Sequence, residues 1–119
     1  PKRAIWDGPM TGVTAHVLVC NDEVFVGYAI RSVIEHVDHV LVFDTGSTDS
    51  TVEVVERIVS DHPTKVTLER HGAADGARHT ALRQEMLERT RTPWFMILDG
   101  DEVWTERAIR EAVSLIANG

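Results

Sequence analysis

Short apolar runs alternate along this chain with longer stretches in which apolar residues return every three or four positions. Val13 to Cys20 is a Val-rich run of strand length, and Phe25, Ala29, Ile30, Val33, Ile34 and Val37 then fall on one side of a helix. Val40 to Phe43 predicts a second strand ending on Asp44. Val52, Val55, Ile58 and Val59 predict a second helix, with Ser50 and Glu53 spaced as a capping box and Pro63 closing it. Val66 to Leu68 is a short third strand. Residues 75–91 follow as a helix with Ala77, Ala81, Leu82, Met86 and Leu87 on one side. Trp94 to Leu98 predicts a fourth strand ending on Asp99. Ala108, Ile109, Ala112, Val113 and Ile116 mark a last helix, closed by Asn118-Gly119. Residues 1–12, with Asp7-Gly8-Pro9 and Gly12, read as an irregular lead-in to a domain over 13–119.

The order is βαβαβαβα. Continuous apolar strands alternating with helices imply a parallel sheet covered on both faces, a three-layer Rossmann-like α/β fold. Right-handed crossovers leave few topologies, and the expected strand order is 3-2-1-4. On this pattern Trp94, Phe95 and Met96 read as core, and Cys20 as a small buried hydrophobe.

Composition narrows the class. With 119 residues, 43% apolar and 26% charged, the chain suits one globular domain, not a disordered segment. Its single cysteine excludes an internal disulfide and fits a reducing, cytoplasmic setting. A net charge of −7 with only two lysines argues against a nucleic-acid partner. No apolar run reaches the roughly 20 residues of a membrane span. The six histidines have no metal-ligand spacing and read as surface or interface groups.

In open parallel sheets ligands bind beyond the carboxyl ends of the strands. Those ends carry Asn21-Asp22-Glu23, Asp44 to Asp49, His71-Gly72 with Asp75, and Asp99-Gly100-Asp101-Glu102. Two carboxylates flanking one small residue after a buried strand repel when bare, and a hard divalent cation relieves that repulsion. Mn²⁺ or Mg²⁺ completes its shell with phosphate oxygens and water, so a diphosphate is the matching ligand. The same acids can instead cap the last helix. Ser47 to Asp49 read as turn and cap, whereas capping does not account for Asp44, whose carboxylate is expected at the cleft mouth. Arg78, in the first turn of the third helix, is placed to meet a diphosphate or a base, or else is solvated.

Four segments, in order, resemble family 2 glycosyltransferases, inverting enzymes of the GT-A fold. Val17 to Glu23 is similar to the family's first strand and its N-E-E turn. Val42 to Thr51 is similar to its V-D-x-G-S-T-D-x-T signature. Gly76-Ala77-Arg78-His79 stands where A-R-N is usual, and Phe95 to Glu102 matches the L-D-A-D-E form of the D-x-D motif. The resemblance implies that Asn21 and Glu23 lie near base and ribose, and that Asp44 contacts one of them. It puts Arg78 on base or diphosphate, Asp99 on ribose or metal, and Asp101 on the divalent metal, Mn²⁺ or Mg²⁺. The implied donor is a UDP-, GDP- or dTDP-linked sugar, with an acceptor the sequence does not name. Thr45 and His79 depart from the family pattern.

Family members continue past the D-x-D helix into the acceptor site and a catalytic base. The chain is therefore expected to be the nucleotide-sugar-binding portion of a longer transferase, truncated on its C-terminal side, with no base assigned. Two rival readings are a non-catalytic nucleotide-binding or scaffold module and a haloacid-dehalogenase-type phosphohydrolase using Asp99. The apolar strand at 94–98, an edge in the expected order, predicts a homodimer or aggregation through that edge unless residues 1–12 cover it.

Overall fold

A computed structural model of the chain describes residues 11–118. Its elements run β1 (Val13–Val19), α1 (Val26–Val33), β2 (His39–Thr45), α2 (Thr51–Asp61), β3 (Val66–His71), α3 (Gly76–Arg89), β4 (Trp94–Asp99) and α4 (Glu106–Asn118). The four strands form one parallel sheet in the order β3-β2-β1-β4, as expected. The lead-in expected at 1–12 lies outside the described residues except for Thr11 and Gly12. Those two are fixed by Asp38, whose carboxylate accepts from both backbone N–H groups.

Alternation along the strands sorts their residues between two unequal faces. Val13, Ala15, Val17 and Val19 of β1, Val40 and Val42 of β2, and Leu98 of β4 join Val26, Ala29, Ile30 and Val33 of α1. Val55 and Ile58 of α2 and Ile109 of α4 complete this main core. The opposite face is covered by α3, where Leu82 and Met86 pack on Leu41 and Phe43. Central strands β1 and β2 are thus buried on both sides, which is why they read as unbroken apolar runs. A fully buried Val or Phe in such a layer stabilises the fold by roughly 1.5–3 kcal/mol.

Several expectations are corrected. Helix α1 stops at Val33, yet Ile34 and Val37 remain buried in the turn that follows, because the chain must come back to β1 through the Asp38 N–H to Val13 O bond. The Ser50–Glu53 capping box is not formed. Ser50 makes no side-chain cap bond, and the Asp49 carboxylate accepts instead from the N–H and hydroxyl of Thr51. On α3 the small Ala77 and Ala81 and the larger Leu87 are exposed, leaving Leu82 and Met86 as its buried contacts.

Strand β4 differs most from the pattern. Trp94, Phe95 and Ile97 are 50%, 43% and 52% exposed, although Leu98 is fully buried. Phe95 and Ile97 point to the α3 side, and α3 lies over β2, so among the described residues little covers them there. Phe95 stacks on His16, with ring centroids 4.8 Å apart. His16 itself is buried, against the expectation of a surface histidine, and Cys20 is exposed at the end of β1.

Candidate functional site

The carboxyl ends of β1 and β2 lead into two turns joined by a set of hydrogen bonds. Backbone N–H groups of the first turn donate to the second: Asn21 N to Ser47 Oγ at 2.9 Å, Asp22 N to Thr51 Oγ1 at 2.8 Å and Glu23 N to Asp49 Oδ2 at 3.2 Å. The two hydroxyls pass their own protons on, Ser47 to Asp44 and Thr51 to Asp49. In the other direction Asn21 Oδ1 accepts from the N–H groups of Thr48 at 2.8 Å and Asp49 at 3.3 Å. Asn21 has φ 55°, a left-handed conformation that Asn adopts more readily than most residues. That backbone bend delivers its side chain to the neighbouring turn.

Between these turns and the D-x-D loop lies a cleft of about 330 Å³ lined by Asn21, Asp22, Glu23, Val24, Phe25, Asp49 and Asp101. The structure therefore brings Asn21, Glu23 and Asp101 together from elements far apart in sequence. Gly100 makes this approach possible, since a Cβ there would lie 2.6 Å from Asp22 Oδ2. Asp22 and Asp49 join the cleft without having been singled out as ligand-binding residues. Asp49 had the sequence signature of a cap, and it is one, but its carboxylate also faces the cleft. Desolvation pushes the Asp49 carboxyl up, yet the hydrogen bonds from the Thr51 hydroxyl and N–H and from Glu23 N outweigh this and hold it below the usual range. It is ionised near neutrality.

The remaining site residues stand elsewhere. Asp44 is 1% exposed, and its carboxylate accepts from Gly46 N, Ser47 N and the Ser47 hydroxyl. The expectation that its carboxylate lies open at the cleft mouth is corrected: the group is turned inward and holds residues 46–47. Gly46, at φ +91°, lets this turn pass against the next loop, where a Cβ would meet Ala73 N at 2.9 Å. Asp99 is exposed at the end of β4, on the opposite face from Leu98, with its N–H donating to Glu102 Oε1 at 3.2 Å.

Arg78 is exposed in the first turn of α3, which Asp75 caps by accepting from Arg78 N at 2.8 Å. Its guanidinium reaches His71 Nδ1 at 3.4 Å. His71 belongs to the one group of described residues whose metal-ligating atoms lie within 4.8 Å of one another: Glu69, His71 and Glu85. The Arg89 guanidinium pairs directly with Glu69 and lies 3.9 Å from Glu85, so a cation already balances these acids.

A second cleft, of about 320 Å³, opens at the amino ends of the strands, lined by Thr14, His39, Thr67 and residues 89–92 among others. Its hydroxyls bond one another and neighbouring groups, as in the Thr14–Thr92, His39–Thr67 and His16–Thr90 pairs. The carboxylates gather at the other end.

A parallel sheet in this order, with a carboxylate-lined cleft beyond its strand ends, defines a Rossmann-like α/β domain of the GT-A type. The model for "Glycosyl transferase family 2" matches residues 14–119, and the chain belongs to that family. Membership sets aside the phosphohydrolase reading.

Among solved structures, a mannosyltransferase from Pyrobaculum calidifontis, PcManGT in complex with GDP-Man and Mn²⁺, is 25% identical with a TM-score of 0.67. The match covers 97% of this chain and 36% of that one. S. aureus TarS 1-349 has a TM-score of 0.67 at 19% identity, covering 89% of this chain and 32% of that one. Its complex with UDP gives 0.60 at the same identity and the same coverage. The TarS likenesses show the fold. The chain spans about a third of the length of these solved proteins. No curated protein matches the sequence. No helix of the described residues is long and apolar enough to cross a membrane.

Proposed function

We propose that this chain binds a nucleoside-diphosphate sugar together with a divalent cation, as the donor-binding part of an inverting hexosyltransferase. The observation that carries this reading is the convergence of Asp101 with Asn21, Asp22, Glu23 and Asp49 on one cleft at the carboxyl edge of the sheet. All the charged groups lining it are carboxylates, hard oxygen donors that suit Mn²⁺ or Mg²⁺ and reject an anion unless a cation intervenes. The mannosyltransferase with GDP-Man and Mn²⁺, at 25% identity, supports both ligands.

In this reading Asp101 holds the metal, with Asp49 beside it and Asp99 on the metal or the ribose. When bound, the metal would supply positive charge to the departing diphosphate. Asn21 and Glu23 face base and ribose: the Asn21 carbonyl is engaged by the second turn, so its amide nitrogen is the end it offers. Asp44 acts from beneath, by holding the turn at residues 46–47. Arg78 meets the base or the diphosphate from the α3 side. No residue of this chain is assigned as the general base that inverting transfer requires of the acceptor side.

The free, exposed Cys20 fits a reducing compartment, and we place the protein in the cytoplasm. Self-association through the β4 edge is part of the same proposal, a second copy supplying a strand to a backbone edge that no described strand pairs and to the exposed Trp94, Phe95 and Ile97.

Calorimetry with UDP, GDP and dTDP, each with and without Mn²⁺, tests the donor site. One of them is expected to bind more tightly when Mn²⁺ is present. A folded sample that binds none of the three overturns the reading in favour of a scaffold module.

A further inference from the structure

An exposed arginine at a helix start visits many rotamers, and ordering it on a ligand costs side-chain entropy unless something has already aimed it. The His71 ring stands where it can do so. It closes β3, its face tilted onto Phe43 with centroids 4.6 Å apart, and Nδ1 lies 3.4 Å from the Arg78 guanidinium. Nε2, on the far side of the ring, is 3.2 Å from Glu69 Oε1 and 4.0 Å from Glu85 Oε2. Arg89 pairs with Glu69 and lies 5.5 Å above the Phe43 ring, so the acids that flank His71 are themselves anchored.

These contacts fix the tautomer. A guanidinium only donates, so Nδ1 must present its lone pair and the ring proton sits on Nε2. Nε2 is buried and makes no aligned hydrogen bond. The two carboxylates hold the proton on that side by charge, not by a directed bond. The loop from Gly72 to Asp75 then runs past Gly46, tying this corner to the turn after β2.

We propose that His71 is a positioning residue of the donor site: Nδ1 accepts from Arg78 and aims its guanidinium at the nucleotide, while Glu69 and Glu85 hold the ring in the accepting tautomer. The inference rests on the reading of Arg78 as a nucleotide contact. Two substitutions separate the sides of the ring. His71→Asn keeps an acceptor oxygen near the place of Nδ1, whereas His71→Gln reaches toward the carboxylates and leaves Arg78 without a partner.

Calorimetry on the 119-residue chain uses whichever of UDP, GDP or dTDP binds best, with Mn²⁺ present. His71→Ala and His71→Gln are expected to weaken binding about tenfold, and His71→Asn by no more than about threefold. On an Arg78→Ala background, His71→Ala adds nothing further. Thermal melts accompany each variant, and equal shifts for Asn and Gln exclude loss of folding as the source of the difference. In ¹⁵N spectra of the free protein the His71 Nδ1 signal is that of an unprotonated acceptor and moves on Arg78→Ala. Equal weakening by Asn and Gln, an undiminished His71→Ala effect without Arg78, or an Nδ1 signal indifferent to Arg78→Ala each overturns the inference. If Arg78→Ala weakens binding and His71→Ala does not, this inference alone fails. If no nucleotide binds, the functional reading fails with it.

Discussion

The Asp22 carboxylate stands directly against Gly100, so close that a Cβ at residue 100 would lie 2.6 Å from Oδ2 and 3.1 Å from the Val19 side chain. Asp22 Oδ2 is also the acceptor for Cys20 N at 3.1 Å, which limits how far it can retreat. The first turn and the D-x-D loop therefore meet with no space for a methyl group.

Gly100→Ala is expected to destabilise the fold by about 1–3 kcal/mol, the range for an overpacked site. It also moves Asp101 relative to Asp49. Denaturant unfolding checks the first effect, and a weaker Mn²⁺ dependence of nucleotide binding checks the second. An Ala variant as stable as the parent contradicts the close approach.

Asn21 gives a backbone and a side-chain test in one position. Asn21→Gly keeps the left-handed conformation and loses the bonds to Thr48 N and Asp49 N, while Asn21→Ala loses both advantages. Denaturation midpoints should fall in the order Asn, Gly, Ala, with Ala costing roughly 2–3 kcal/mol. Ala equal to Gly would show that φ contributes nothing.

The acids of the strand ends divide into two kinds. Asp101→Asn should abolish most of the gain in nucleotide affinity on adding Mn²⁺, with little change in stability, because Asp101 is exposed in the cleft. Asp44→Asn should do the reverse. An amide puts a donor where Ser47 or Gly46 now donates, and about 1–3 kcal/mol of stability is lost from the buried turn. Parallel calorimetry and melting curves on the two variants check the contrast.

His16 makes stability depend on pH. Burial, with Arg83 adding to it, lowers its pKa from 6.5 to about 4. Thr90 donates its hydroxyl proton to Met86 O, so His16 Nε2 must donate to Thr90 Oγ1, and the ring is neutral. A histidine with a depressed native pKa binds fewer protons folded than unfolded. Its contribution is complete above about pH 6.5 and disappears as pH falls toward 4. His39, lowered by burial and by Arg89 and Lys65, acts with the same sign. Unfolding free energy should drop over this window, by at most about 3 kcal/mol for His16. His16→Gln should flatten the profile, and an unchanged slope would remove His16 as its cause.

The β4 edge is checked by sedimentation. With Trp94 and Ile97 half exposed on an edge strand, the chain should associate at high concentration, and Ile97→Lys should shift it toward monomer without unfolding it. A parent chain that stays monomeric at millimolar concentration contradicts this.

The alternation of apolar runs with helical periods carried the architecture on its own. Val13–Val19 and His39–Thr45 are buried on both faces, and only a central parallel strand needs such a run. The acids at the strand ends were equally visible, since strand ends in this topology share one edge of the sheet. The exposure of Phe95 and Ile97 was not visible, because an apolar run looks the same in a central strand and in a strand whose covering helix lies over its neighbours. Nor was the division among the acids. Asp44, Asp49 and Asp101 each follow a strand or begin a helix, but which carboxylate turns inward to hold a turn and which faces the cleft depends on donors from other elements. Ser47 and the Gly46 N–H claim Asp44, Thr51 and Glu23 N claim Asp49, and among the described residues nothing comparable claims Asp101. Local sequence determines where the chain bends and what chemistry it carries there. Only the packing of distant turns against one another decides which of those groups is left to face a ligand.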